Sequence, residues 1–347
     1  MPSRRNLLTA TAAGLLALAP RRAQGQALSV LRPPRLQPGD QVGIISPAGV
    51  TLQQRSLDIV VDATLKLGLV PRLGPHLRDR YGYLAGRDRD RAADVNQFFA
   101  DPAIKALLPI RGDWGSARIL PYLDYGVIRQ NPKVVVGFSD ITALLLGIHA
   151  QTGLVTFHGP HGLTSWLPNQ AIPFQRVLFD GETVALGDAA LAAGTRQAAD
   201  RPTPRPTPRG LITPGQARGR LIGGNLSVIA GIAGSQYMPD LSGAVLFLED
   251  VGEDVYRIDR MITQLKLAGV LDSLAGFIFG QCTRCSAEGD SLTLEQVLQD
   301  HIQPLGIPAW SGALIGHVEP ILTLPLGIEV AIDAEQGVIQ MLQPAVA

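Results

Sequence analysis

Short apolar runs alternate with longer stretches of helical period through the first half of the chain. Val42-Gly43-Ile44-Ile45 follows a Gly39-Asp40 turn and ends at Ser46-Pro47, which reads as a first strand with a polar loop at its end. Leu52 to Leu67 carries a helical period. Asp88 to Phe99 is a charged helix that puts Ala92, Val95, Phe98 and Phe99 on one face. Ala106 to Ile110, Lys133 to Phe138 and Leu154 to Phe157 read as further buried strands. Between them Ile119, Leu120 and Leu123 predict a short helix, and Asp140 to His149 predicts another with Ser139 as its N-cap. Strands alternating with helices at this spacing predict an α/β fold, a mostly parallel sheet with helices on both faces. Such sheets bind ligands at the carboxyl ends of their strands. Ser46, Ser116, Ser139, Asp140 and His158 all fall there.

The pattern then changes. Arg201 to Arg209 alternates proline with polar residues and suits neither a helix nor a central strand, so 191–215 reads as a semi-rigid linker. It divides an N-terminal domain, 36–190, from a smaller mixed α/β C-terminal domain, 216–347. In the latter, Ala244 to Leu248 predicts a strand ending in Glu249-Asp250, and Arg257 to Leu267 a helix. Ala313 to Gly316 predicts a short buried strand that ejects His317 into a loop closed by Leu324-Pro325-Leu326-Gly327.

Composition adds little to the fold but narrows the function. With 347 residues, 46% of them hydrophobic, the chain can bury a sizeable core. The 30 basic and 30 acidic side chains balance, and no basic run is interleaved with aromatics, so nothing points to nucleic acid. Residues 1–25 read as an export signal: Arg4-Arg5 precedes an apolar stretch ending near Ala19, and Ala23-Gln24-Gly25 offers small residues for cleavage. That stretch is shorter than the roughly 20 residues needed to span a bilayer. No cysteine follows it for lipid attachment, so the expected product is exported, by a twin-arginine route, with no stable membrane anchor. Cys282 and Cys285 are the two cysteines. One C-x-x-C pair cannot complete a four-ligand zinc site. In an oxidising compartment the pair can close a small disulfide loop, and a structural role is expected for it. No cofactor and no metal are expected.

The chemistry concentrates in Arg111-Gly112-Asp113-Trp114-Gly115-Ser116-Ala117. A serine on a tight strand-to-helix turn has its hydroxyl lifted clear of the sheet, and the amides opening the next helix point at whatever the hydroxyl attacks. Ala117 departs from the G-x-S-x-G spelling, so a phosphate-binding or purely structural turn fits the residues as well. A nucleophilic serine needs a base, and the base an orienting acid. His76 and His301 lie in polar, solvent-like contexts, and His149 at a helix end reads as structural. His158 and His161 flank a strand end and can serve; His317, in the loop after a short strand, fits a base or a hydrogen-bonded structural residue. Glu249 ends an apolar strand, where a carboxylate is costly to bury unless paired.

These segments, taken in order, resemble the LD-carboxypeptidases of murein recycling, a serine-peptidase family that also contains the microcin C self-immunity peptidases. The resemblance runs from about Leu36 to the C-terminus. It rests on Gly39-Asp40 through Ser46-Pro47, Tyr83-Leu84-Ala85-Gly86, Arg111 to Ser116, Gly137-Phe138-Ser139-Asp140 with Ile141 to Leu144, and Phe157-His158-Gly159-Pro160. In the second half it rests on Gly223 to Leu226, Leu248-Glu249-Asp250-Val251, Tyr256 to Arg260, Gly316-His317 and Leu324 to Gly327. The resemblance implies Ser116 as nucleophile, His317 as general base, Glu249 as third member, and a metal-free homodimer. It implies release of a terminal D-amino acid, D-alanine, from an L-centre of a muropeptide. Asp113-Trp114 departs from the more usual Gly-Tyr. The backbone of Ala117 and of Gly112 or Asp113 is the expected oxyanion site, and Arg111 is a candidate for the substrate carboxylate, unless it pairs with Asp113 or Asp140 instead. The rival readings are an amidase of aminoacyl nucleotides and an exported solute-binding protein.

Overall fold

The computed structural model describes residues 28–187, 208–287 and 289–347. The export signal read at 1–25 and the greater part of the proline-rich linker lie outside the described residues.

In the N-terminal half, strands β1 (Gln41–Ile45), β2 (Val70–Leu73), β3 (Ile104–Pro109), β4 (Val134–Gly137) and β5 (Thr156–His158) are joined through helices α1 (Gln54–Lys66), α2 (Asp88–Ala100), α3 (Tyr125–Gln130) and α4 (Ile141–Thr152). Helix α5 (Pro168–Leu178) follows. The five strands are parallel and run in the order β5-β4-β3-β1-β2. The chain therefore goes outward from β1 to β2 and then recrosses β1 to lay down β3. That reversal of direction opens a crevice between the carboxyl ends of β1 and β3, the usual ligand position in an open α/β sheet.

The second sheet holds β6 (Ala185–Gly187), β7 (Gly210–Thr213), β8 (Gln216–Asn225), β9 (Val245–Val251), β10 (Gly276–Thr283), β11 (Ala309–Ser311), β13 (Glu329–Asp333) and β14 (Val338–Met341). Their order is β6-β14-β13-β8-β9-β10-β11-β7, and β8 through β11 are parallel. Helices α6 (Leu226–Ile232), α7 (Val255–Leu267) and α8 (Leu294–Ile302) belong to this half. The chain is thus mixed α/β with two sheets, as its alternation of patterns predicts.

Two strands cross the partition expected from the linker. β6, from before it, pairs with β14 in the second sheet. β12 (Leu324–Leu326), from near the C-terminus, runs antiparallel to β5 in the first, placing Leu324 opposite His158. β7 also falls inside the segment read as linker and pairs with β11 as an edge strand.

The local readings hold with three corrections. Ser139 is no N-cap: Asp140 holds that position without a side-chain cap, and Ser139 has a φ of 62°. Residues 313–316 form no strand, because β11 ends at Ser311 and Gly312 turns the chain at φ 87°. β9 takes in Glu249 and Asp250, where the reading ended it, as full strand residues and runs one residue further, to Val251. The short helix after the Gly115 turn is a 3₁₀ helix, Ser116–Tyr122, that begins at Ser116 itself.

Helix α4 explains its own composition. Every residue from Ile141 to His149 is buried, because the helix packs on β4 and β5 and also against β8 and α6. A helix apolar all round is one buried all round. Gly224, at φ 147°, lets β8 approach it: an added Cβ would stand 2.5 Å from Thr142 Cγ2. Thr142 Oγ1 then accepts the N–H of Asn225 at 3.0 Å.

On the first sheet, Gly43 of β1 makes room for the Phe98 ring of α2, 2.4 Å from where its Cβ would lie. Gly43→Ala is expected to destabilise the fold by about 1–3 kcal/mol through overpacking. Urea unfolding checks this, and an unchanged midpoint would show that α2 is free to move off the sheet.

Candidate active site

The chain leaves β3 through Ile110 and makes a turn that few sequences permit. Asp113 has φ 93° and Gly115 φ 119°, both left-handed. An added Cβ on Gly115 would stand 2.4 Å from Leu84 Cδ2 and 3.3 Å from Arg91 Nη1. Gly112 is equally confined, 2.9 Å from Ser139 Cβ. Ser116 emerges from this turn fully buried at the start of the 3₁₀ helix.

Two charged side chains hold the turn. Arg91 of α2 is buried; its Nη1 donates to the carbonyl oxygens of Pro47 and Gly115, and its Nη2 meets Asp88 Oδ1 at 2.5 Å. One guanidinium thus ties the loop after β1 to the loop after β3 across the crevice. Asp140, at the start of α4, accepts the Ser116 N–H on Oδ2 at 2.7 Å. Burial pushes this carboxyl upward, and the hydrogen bonds from the Ser116 turn oppose that shift. The Ser116 hydroxyl donates to the Asp140 backbone carbonyl.

The other two expected residues meet each other. Glu249 lies on β9, fully buried, and its Oε2 is 2.9 Å from His317 Nδ1. Facing a carboxylate, Nδ1 carries the proton, which leaves Nε2 as the basic nitrogen. Glycine permits this approach. Gly316 has φ 95°, and its Cβ would lie 2.2 Å from Glu249 Oε2. Glu249 Oε1 has no hydrogen-bond partner among the described residues.

The structure therefore brings Glu249 and His317 into contact and holds Ser116 separately, its hydroxyl turned to Asp140. The segment 137–140 joins the two parts. Asp140 grips Ser116, and the Phe138 ring packs edge-on against His317 with centroids 4.9 Å apart. On its other sides Phe138 stacks on His161 at 4.6 Å and meets His158 at 6.3 Å.

The remaining candidates are accounted for. Arg111 Nη2 lies 3.3 Å from Asp113 Oδ2, both roughly half exposed, so it pairs with Asp113 and not with Asp140. Asp250 turns away from the histidine and accepts from Asn225 Nδ2 at 3.0 Å and the Ser227 N–H at 2.9 Å. His149 is structural, with Nδ1 2.9 Å from the Leu154 carbonyl. His76 and His301 are not simply solvated: they pair with Asp94 at 2.6 Å and Asp259 at 2.7 Å. The cysteines form a disulfide. Among the described residues, no group of three or more His, Cys, Asp or Glu side chains can hold a metal ion. No helix among them is long and apolar enough to cross a membrane. Arg91 escaped the sequence reading because an arginine inside a charged helix looks like part of a solvated face.

The N-terminal domain of the LD-carboxypeptidases matches residues 42–159, and the C-terminal domain of the same family matches residues 218–332. The chain belongs to the LD-carboxypeptidase family. This LD-carboxypeptidase is accordingly an enzyme of the serine-type carboxypeptidase class. It is 37% identical over 313 residues to the probable murein peptide carboxypeptidase of Bacillus subtilis, covering 88% of this chain and 92% of that protein. It is 31% identical over 315 residues to the microcin C7 self-immunity protein MccF of Escherichia coli, covering 85% and 91%. The solved structure of wild-type apo MccF superposes with a TM-score of 0.81 at 29% identity, covering 91% of this chain and all of that one (100%).

One buried group of the LD-carboxypeptidase gives a pH-dependent prediction. His158 is fully buried with neither ring nitrogen paired among the described residues, and burial lowers it from 6.5 to about 4. It is neutral in the native state and regains its ordinary value on unfolding, so its contribution is present above about 6.5 and lost as pH falls through about 4. Asp250 works the other way. Burial and the neighbouring Glu249 raise it from 3.8 to about 6, so its contribution is present below 3.8 and lost as pH rises through about 6. His158→Phe is expected to remove up to one proton, about 1.4 kcal/mol per pH unit, from the slope of stability between pH 6.5 and 4. Urea titrations at stepped pH check it, and an unchanged slope would mean that His158 is not held neutral.

Proposed function

We propose that this enzyme releases a terminal D-amino acid, D-alanine, from the L-centre of a murein tetrapeptide through a Ser116–His317–Glu249 acyl-enzyme mechanism. The observation that carries the reading is the pair formed by the buried Glu249 and His317, which presents a base with its tautomer already chosen. The similarity to the murein peptide carboxypeptidase of Bacillus subtilis supports the substrate.

In this mechanism the Ser116 hydroxyl rotates from the Asp140 carbonyl toward His317 Nε2, gives up its proton and attacks the scissile carbonyl. Glu249 stabilises the imidazolium that forms. The amides of Ala117 and of Gly112 or Asp113 receive the oxyanion, where loss of one donor typically costs about 10²–10³ in rate. His317 returns the proton to the departing D-amino group, and water then resolves the acyl-enzyme through the same base. Arg111 takes the free carboxylate of the D-residue by exchanging its solvent-accessible ion pair with Asp113, a contact worth little in the free enzyme. The enzyme acts outside the cytoplasm as a homodimer, on shed or wall-derived peptide. The arginine pair at Arg4-Arg5 and the disulfide both suit export to an oxidising compartment.

A second reading has its own support. MccF has been solved with glutamyl sulfamoyl guanosine bound, and that structure superposes on this chain with a TM-score of 0.80. An amidase acting on aminoacyl nucleotide analogues would use the same three side chains.

The test is D-alanine release from a muropeptide tetrapeptide. Wild type is expected to release it, and Ser116→Ala to lose about 10⁴-fold or more in kcat. Cleavage of an aminoacyl sulfamoyl nucleoside without tetrapeptide hydrolysis would favour the second reading. Tight binding without turnover by both proteins would leave a solute-binding role. A fluorophosphonate is expected to label Ser116 in wild type and not in His317→Ala, and equal labelling would remove that histidine from the mechanism.

A further inference from the structure

The general base assigned above is held at two points, and the second has no counterpart in the triad. The imidazole is anchored by Glu249 on β9. The backbone carbonyl of His317 accepts a hydrogen bond from Thr283 Oγ1, on the strand β10 that neighbours β9, at 2.7 Å. Thr283 lies inside the four-residue ring closed by the Cys282–Cys285 disulfide.

The surroundings make this ring a rigid mount. β10 pairs with β9 so that Cys282 stands opposite Asp250 and Thr283 opposite Val251, directly after Glu249. The register shifts between Phe279 and Cys282, and Gly280 at that shift leaves room for the histidine loop: its Cβ would lie 2.7 Å from the Ile315 carbonyl oxygen and 3.3 Å from Glu249 Cβ. The Gly252 N–H donates to the Thr283 carbonyl at 2.9 Å, fixing the ring to the chain that leaves Glu249. Buried Gln281 completes the grip, with its N–H on the Ile315 carbonyl at 3.2 Å and its Nε2 on that of Gly312 at 2.7 Å. Segment 312–317 has no strand pairing among the described residues, so these contacts from β10 stand in for a ladder. Within the ring, Arg284 takes φ 57°, a turn conformation that a non-glycine residue adopts at a cost. The covalent closure holds the chain in that turn.

We propose that Thr283, presented by the Cys282–Cys285 ring, is a positioning residue for His317, and that the disulfide sets the fraction of enzyme in which the imidazole stands ready to accept the serine proton. This rests on His317 acting as the base. It makes the oxidised form the fully active one, in keeping with an exported enzyme.

The experiment uses two readouts, kcat and KM for D-alanine release and the rate of fluorophosphonate labelling at Ser116. The second needs only a base-activated serine, so it tests the mount even if the tetrapeptide is not the substrate. Thr283→Val is expected to lower kcat and the labelling rate about five- to tenfold, the scale of one lost hydrogen bond, with KM within about twofold. Thr283→Ser is expected to restore most of the rate, which a purely structural loss would not allow. Reduction by dithiothreitol, which closes to its own disulfide as Cys282 and Cys285 become thiols, is expected to slow wild type comparably. It is expected to add little in Thr283→Val, because both changes act through one hydrogen bond. The proposal is overturned if reduced and oxidised wild type label at the same rate, or if Thr283→Val lowers the rate and Thr283→Ser fails to recover it. A misfolded Cys282→Ser variant does not disturb the test, since reduction is carried out on the folded protein.

Discussion

A carboxylate sealed from water has to be answered by a partner, and Glu249 imposes that demand on the whole C-terminal half. Removing the partner of such a group commonly costs several kcal/mol. The chain meets the demand with His317, reached 68 residues later. Gly316 and Gly280 are shaped around the approach, since any Cβ there would collide with the carboxylate or with the histidine loop. The same loop then continues into β12, which adds itself to the N-terminal sheet beside His158. Satisfying one buried charge thereby helps fasten the two sheets together and sets an imidazole against Phe138, just after β4.

The Ser116 side is governed by a related constraint with opposite sign. The left-handed φ of Asp113 stores strain, and the turn leaves the Gly115 carbonyl in a buried place. Arg91 supplies the donor that this carbonyl needs, and Asp140 supplies the acceptor for the Ser116 amide. The serine is consequently held at rest by its backbone and waits with its hydroxyl on the Asp140 carbonyl. Phe138, between Gly137 and Ser139, touches His317 while its near neighbour Asp140 holds Ser116. Movement of this short segment is therefore felt by both partners.

Much of the architecture could be read from residues. The alternation of apolar runs with helical periods located β1, α1, α2, β3, β4, α4 and β5 to within a few residues, because each pattern reports which face is buried. The readings failed where burial comes from something other than a regular face. Ser139 has the chemistry of a cap, but its left-handed φ leaves that place to Asp140. Ala313 to Ile315 is apolar because the loop is clamped against β10, with no strand partner. β9 extends through two carboxylates because one finds an imidazole and the other an amide, partners that a propensity argument does not see.

The amino-acid order by itself determined the α/β class, the placing of Ser116 on a tight turn after a strand, and the ordered set of segments that resembles a peptidase family. These are legible because periodicity and turn chemistry are local properties of neighbouring residues. Which histidine answers Glu249, that Arg111 faces Asp113, that Cys282 joins Cys285, and that Arg91 and Thr283 serve the site were decided only in three dimensions. Apart from the neighbouring Arg111–Asp113 and cysteine pairs, each joins groups far apart in the chain, and even those two depend on how the intervening turn is folded. Hydrogen-bond reach of about 3 Å is a statement about space, and sequence separation carries no record of it.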